Sequence, residues 1–162
     1  MRVARLVLSL SAALLVAVTG PMAQAKPDFS GTWVVVAPQS GAPNTLVIKQ
    51  DATTVSETDG ETADSHTVTV RLDGTPTRMT MPAHTAPSGS AVFVNDEIVL
   101  VSTAAWRRNT LVLSTAATYP AGNKRNLVRA WTLDAENQLQ VEVTMSSDAQ
   151  EARNVKAVYK RK

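Results

Sequence analysis

The side chains able to do chemistry are few in this chain, and their spacing argues against most chemistries. His66 and His84 are the only histidines and there is no cysteine. A metal centre needs three or four ligands at characteristic spacings, and none of those spacings is present, so no metal is expected. Asp64 near His66, with one of the many serines, meets the letter of a hydrolytic triad. No G-x-S-x-G turn exists to present the nucleophile, so this reads as surface coincidence. Asp96 and Glu97 adjoin in a strand-like stretch and therefore point to opposite faces, which removes them as an acid pair. No glycine belongs to a G-x-G-x-x-G or P-loop pattern, so nucleotide binding has no support. The expectation is a protein without catalysis and without a cofactor.

What remains is a set of basic clusters: Arg107-Arg108, Lys124-Arg125 and Lys160-Arg161-Lys162. Clusters this short commonly serve as solvated charge at turns. The sharper reading is a binding rim in which Lys124 and Arg125 attract an anionic ligand or lipid headgroup, Tyr119 adds an aromatic edge and the loop residue His84 stands nearby.

Those residues must be placed by a chain that is read as exported. Residues 1–25 have a basic start with Arg2 and Arg5, an apolar run from Leu6 to Val18, a Gly20-Pro21 break and an Ala23-Gln24-Ala25 cleavage pattern, which together make a signal peptide. The apolar run is shorter than the roughly 20 residues of a membrane span, and nothing after it resembles a transmembrane segment. The expected location is the periplasm or the exterior, with residues 26–162 as one domain. The formal charge of +2 reflects 16 basic against 14 acidic residues. Both arginines of the leader are lost on cleavage, so the charges balance, and a nucleic-acid partner, which calls for a one-sided basic excess, is not expected.

From residue 30 onward apolar and polar residues alternate, Val and Thr abound, and turn residues recur about every ten positions, the pattern of an antiparallel β-sandwich or barrel. Strands are expected over 30–37, 45–50, 53–58, 65–72, 75–81, 97–107, 110–117, 126–133, 138–145 and 152–160. Asp73-Gly74 is a two-residue hairpin signal, and Arg108-Asn109 and 134–137 read as further tight turns. Longer connections cover 38–44, 59–64, 82–96, 118–125 and 146–151. Short and long connections alternate, so an up-and-down meander collects the long ones at an open rim and the tight ones at a closed floor. Trp33, Trp106, Trp131 and Tyr159 then fall at the floor. On two strands the division of faces is clean: His66, Val68, Val70 and Leu72 oppose Thr67, Thr69 and Arg71, while Leu139, Val141, Val143 and Met145 oppose Gln140, Glu142 and Thr144. Ile98-Val99-Leu100-Val101 is apolar on both faces and calls for cover outside as well as in.

Asp28-Phe29-Ser30-Gly31-Thr32-Trp33, just after the leader, resembles the opening of small exported bacterial proteins of lipocalin-like (calycin-type) fold. Gly31 and Trp33 are similar to the G-x-W signature of those barrels. The resemblance implies an all-β, antiparallel up-and-down meander closed into a lipocalin-like barrel of about 8–10 strands, with Arg161, or Lys160 one register step away, stacked over Trp33. It also implies a small, largely apolar ligand held in the open end without catalysis. An anionic amphiphile would suit the basic rim. The alternative is a filled barrel that serves as a structural or protein-binding module of the cell envelope.

Overall fold

The computed structural model describes residues 25–37, 42–60, 67–82, 97–148 and 150–162. Ten strands form one antiparallel sheet: β1 (Gly31–Val35), β2 (Thr45–Gln50), β3 (Thr54–Asp59), β4 (Thr67–Arg71), β5 (Thr77–Pro82), β6 (Glu97–Arg107), β7 (Thr110–Thr118), β8 (Lys124–Leu133), β9 (Leu139–Ser147) and β10 (Gln150–Arg161). Their order is β4-β3-β2-β1-β10-β9-β8-β7-β6-β5. Consecutive strands are neighbours except β4 and β5, and one non-consecutive pair is added. β10 closes onto β1, pairing Trp33 with Arg161 and Val35 with Tyr159, and β4 and β5 stand as the two edges of a nearly closed barrel.

The all-β meander and the number of strands are those the sequence predicts, and β2 and β6 have the predicted limits. The Asp73-Gly74 hairpin is a correction. Asp73 does turn the chain, its carboxylate accepting from the Thr75 amide at 2.8 Å, with Gly74 at φ 81°. Yet β4 and β5 do not pair. A Cβ on Gly74 would lie 3.9 Å from the Ala104 backbone carbonyl of β6. β5 pairs with β6 only from Glu97 to Ser102, and β4 lies near the remainder of β6. The connection drawn long over 146–151 is the second correction. Only residues 148 and 149 separate β9 from β10, because both strands run further than expected and a register shift between Gln150 and Arg153 takes up the extra residue.

The turns at 51–53, 72–76, 108–109 and 134–138 gather at one end, whereas the two-residue β9–β10 connection lies at the other. Three carry an aspartate whose carboxylate accepts from the backbone of its own turn: Asp51 from the Thr53 and Thr54 amides at 2.7 Å each, Asp73 as above, and Asp134 from the Glu136 and Gln138 amides at 2.9 Å each. Such side chains substitute for backbone acceptors in a chain reversal. Arg108 at φ 56° supplies the left-handed residue of the β6–β7 turn.

The core fills the barrel's lower half. Trp33, Trp131, Phe29, Leu111 and Leu139 have no exposed surface. Phe29, on the segment leading into β1, is the centre of the floor. Its ring stacks on Trp106 at 5.9 Å and meets Trp131 edge-on at 5.8 Å, and its carbonyl accepts the Trp33 indole N–H at 2.8 Å. The Arg161 guanidinium lies over the Trp33 indole, 4.6 Å from the ring centre. Tyr159 corrects the floor assignment made from sequence: it stands one inward position above Arg161, and its hydroxyl donates to the Pro43 carbonyl at the head of β2 at 3.0 Å. It forms the wall between floor and upper barrel. In the doubly apolar stretch, Ile98 through Val101 are all half-buried.

Candidate functional site

Above the aromatic floor the barrel is hollow. A cavity of about 390 Å³ opens among β7, β8, β9 and β10, and a smaller hollow of about 170 Å³ lies toward β2, β3 and β10. Leu127, Arg129 and Met145 line both. The height of the walls explains why the space exists there. β6 to β10 run for 9–12 residues, whereas β1 to β4 have five or six, so among the described residues the upper third of the tall wall has no facing strand of equal length.

The inward side chains of the tall wall follow from strand alternation. On β8 the inward row reads Arg125, Leu127, Arg129, Trp131, passing from the rim to the floor. Arg153 on β10 pairs with Met145 on β9, and both line the larger cavity with Arg125, Arg129, Leu100 and Ala117. The lining thus combines the apolar Val68, Leu100, Ala117, Leu127 and Met145 with three guanidinium groups and the polar Thr115, Asn126, Ser146 and Ser147. Glu151, brought to the same mouth by the register shift in β10, is the acid among these rim residues.

The innermost charge is paired. Arg129 forms a salt bridge and hydrogen bond with Glu57, which reaches across the barrel from β3. Glu57 is 6% exposed, and burial pushes its carboxyl above the usual carboxylate range, opposed by the charge and hydrogen bond of Arg129. Asp59, two residues along the same inward row, adds to the upward push. The Tyr159 hydroxyl is likewise pushed up by burial and by Asp59 and Glu57. Beneath the pair a void of about 10 Å³ is lined by Val55, Val70, Leu113 and Trp131, and the Trp131 indole N–H has no partner among the described residues. Ser102 and Thr115 share a hydroxyl hydrogen bond of 2.9 Å on the adjoining wall.

The rim residues singled out from sequence separate. Tyr119 and Arg125 come together, the guanidinium 5.2 Å from the ring centre, and both line the larger cavity. Lys124 is exposed and does not line it; its backbone amide donates to the Asp148 carboxylate at 3.2 Å. Strand alternation sends neighbouring residues to opposite faces, so the Lys124-Arg125 pair contributes one cation to the interior. His84 and His66 lie outside the described residues. Among the described residues no cluster of His, Asp and Glu could hold a metal. Gly31, Trp33, Trp106, Trp131 and Arg161 sit together at the floor, away from the cavity.

Sequence reading missed Glu57, Arg129, Arg153 and Phe29. The signal for the first two was present: Glu57 is two residues from Val55, and Arg129 lies between Leu127 and Trp131, each an ionisable residue on the apolar row of its strand. That they meet is a matter of curvature around the barrel. The chain matches no protein-family profile, and no curated protein shows significant similarity to it.

Proposed function

We propose that this protein is an exported, lipocalin-like barrel that holds a small, largely apolar molecule in its upper cavity without transforming it. The single observation behind the reading is the hollow itself. Its size falls within the roughly 300–1,000 Å³ typical of small-molecule sites, and apolar walls with a few converging polar groups are what such sites present. Natural interiors close up to few voids, so an open space of this size in the upper barrel is read as room for an occupant. The leader-like start and the Gly31/Trp33 opening support export and the family resemblance.

Native mass spectrometry of protein purified from its own host tests this reading. A co-purifying mass of a few hundred daltons, lost when Leu127 and Met145 are both replaced by Trp to fill the cavity, is the expected result. Clean apo-protein that also fails to take up any apolar fluorescent probe would remove the binding role.

A further inference from the structure

We infer that the ligand of this cavity is an amphiphile with an acidic head, and that its head replaces Glu57 as the partner of Arg129, Glu57 leaving the ion pair as the protonated acid. This rests on the binding reading above and adds the ligand's chemistry and its coupling to pH.

Three observations carry the inference. First, Arg129 lies at the inner end of the larger cavity and lines the smaller one and the void beneath as well. A molecule filling the upper barrel therefore meets this guanidinium, 14% exposed, with its apolar length against Leu100, Ala117, Leu127 and Met145. Second, with Arg129 paired to Glu57, the described charges at the mouth of the larger cavity are Arg125 and Arg153 against Glu151, a balance that favours an anion over a cation.

Third, among the described residues Glu57 faces no second cation. The charged or titratable groups facing it are Arg129 from β8, Asp59 from its own strand and Tyr159 from β10. Val55, Val68, Val70, Leu113 and Trp131 complete its surroundings. Two buried carboxylates sharing one guanidinium repel each other, and the one left unpaired in an apolar setting takes a proton. The exchange balances: the head brings one negative charge, Glu57 gains one proton from solvent, and Arg129 stays ionised and paired throughout. A fork-shaped guanidinium accepts a carboxylate from either side by the same geometry.

Calorimetric titration of the full chain with decanoate, decanol and acetate provides the test. It is run at pH 8, where decanoate is ionised, in buffers of different ionisation enthalpy. Decanoate is expected to bind with uptake of roughly half to one proton, and to weaken by up to about tenfold per pH unit as the pH is raised. Decanol and acetate are expected to bind at least about tenfold less tightly. Glu57→Gln should bind decanoate with no proton uptake; if that variant does not fold, the wild-type proton count decides by itself. Decanoate binding with no proton taken up, or decanol binding as tightly, overturns the exchange and leaves the apolar pocket standing. Acetate binding as tightly as decanoate overturns the amphiphile. Failure of both ten-carbon probes to bind overturns this inference and the binding reading together.

Discussion

The Arg161 guanidinium lies 4.6 Å from the centre of the Trp33 indole and donates to the Ser30 carbonyl at 2.6 Å. The last strand is thereby fastened to the start of the first. The contact depends on Gly31, whose φ of 144° suits glycine and whose missing side chain leaves room: a Cβ there would stand 3.2 Å from an Arg161 nitrogen.

Removing the fastening should therefore weaken the fold without emptying the cavity. Arg161→Ala is expected to cost about 1 kcal/mol, since an exposed cation–aromatic contact and one hydrogen bond contribute that order. Gly31→Ala should cost about 1–3 kcal/mol from backbone strain, and most of that cost should persist in the Gly31→Ala/Arg161→Ala double variant because the φ remains. Urea denaturation read by tryptophan fluorescence measures all three.

The two fully buried tryptophans are not equivalent. Trp33 donates to the Phe29 carbonyl at 2.8 Å, while the Trp131 N–H has no partner among the described residues. Trp33→Phe leaves a buried carbonyl unpaired and should destabilise by about 1 kcal/mol more than Trp131→Phe. Equal losses in the same denaturation assay would contradict the hydrogen bond's role.

For the ion pair inside the barrel, single and double substitutions should diverge. Glu57→Leu or Arg129→Met alone strands a buried charge and is expected to cost about 3–5 kcal/mol, whereas the double variant should lie within about 2 kcal/mol of the parent. A double-mutant cycle reads the coupling directly. Additive losses would mean that the two groups do not depend on each other.

At the rim, the neighbours Lys124 and Arg125 should behave differently because only Arg125 lines the cavity. Arg125→Glu is expected to weaken uptake of an anionic apolar probe about tenfold or more, with thermal stability kept within about 0.5 kcal/mol of the parent. Lys124→Glu should change uptake by less than about threefold. Fluorescence titration of both variants separates them.

Asp51 ties one floor turn to pH. Its carboxyl is held down to about 2, first by the Thr53 and Thr54 backbone amides and then by their hydroxyls. A carboxyl lowered on folding stabilises the native state above its unfolded value of about 3.9 and loses that contribution as the pH falls through the folded value. The stability gap between the parent and Asp51→Asn should thus be full at pH 6 and should close between about pH 4 and pH 2. A gap that is constant over that range in urea titrations would rule out the charged acceptor as its source.

Much of the barrel is legible in the residues because a strand reports its own faces. Alternation along Val68-Val70 and Leu139-Val141-Val143 names the inner row, and Arg108-Asn109 and the Asp134 turn mark reversals by local backbone chemistry. The same logic failed at Asp73-Gly74, where a good local turn joins two strands that do not pair. The turn carries no information on what β4 can pair with, and β4 and β5 end as the two edges of the sheet.

The sequence by itself determined the all-β class, ten strands in meander order, the gathering of tryptophans at one end and the absence of recognised catalytic patterns, since period, turn residues and spacing are properties of short stretches. Only the tertiary structure decided that Glu57 faces Arg129, that Phe29 centres the floor, that Arg153 joins Arg125 at the mouth and that the upper barrel is hollow. Those facts depend on how far each strand runs and how the sheet curls, and a curled sheet brings together residues more than seventy positions apart that share no local pattern.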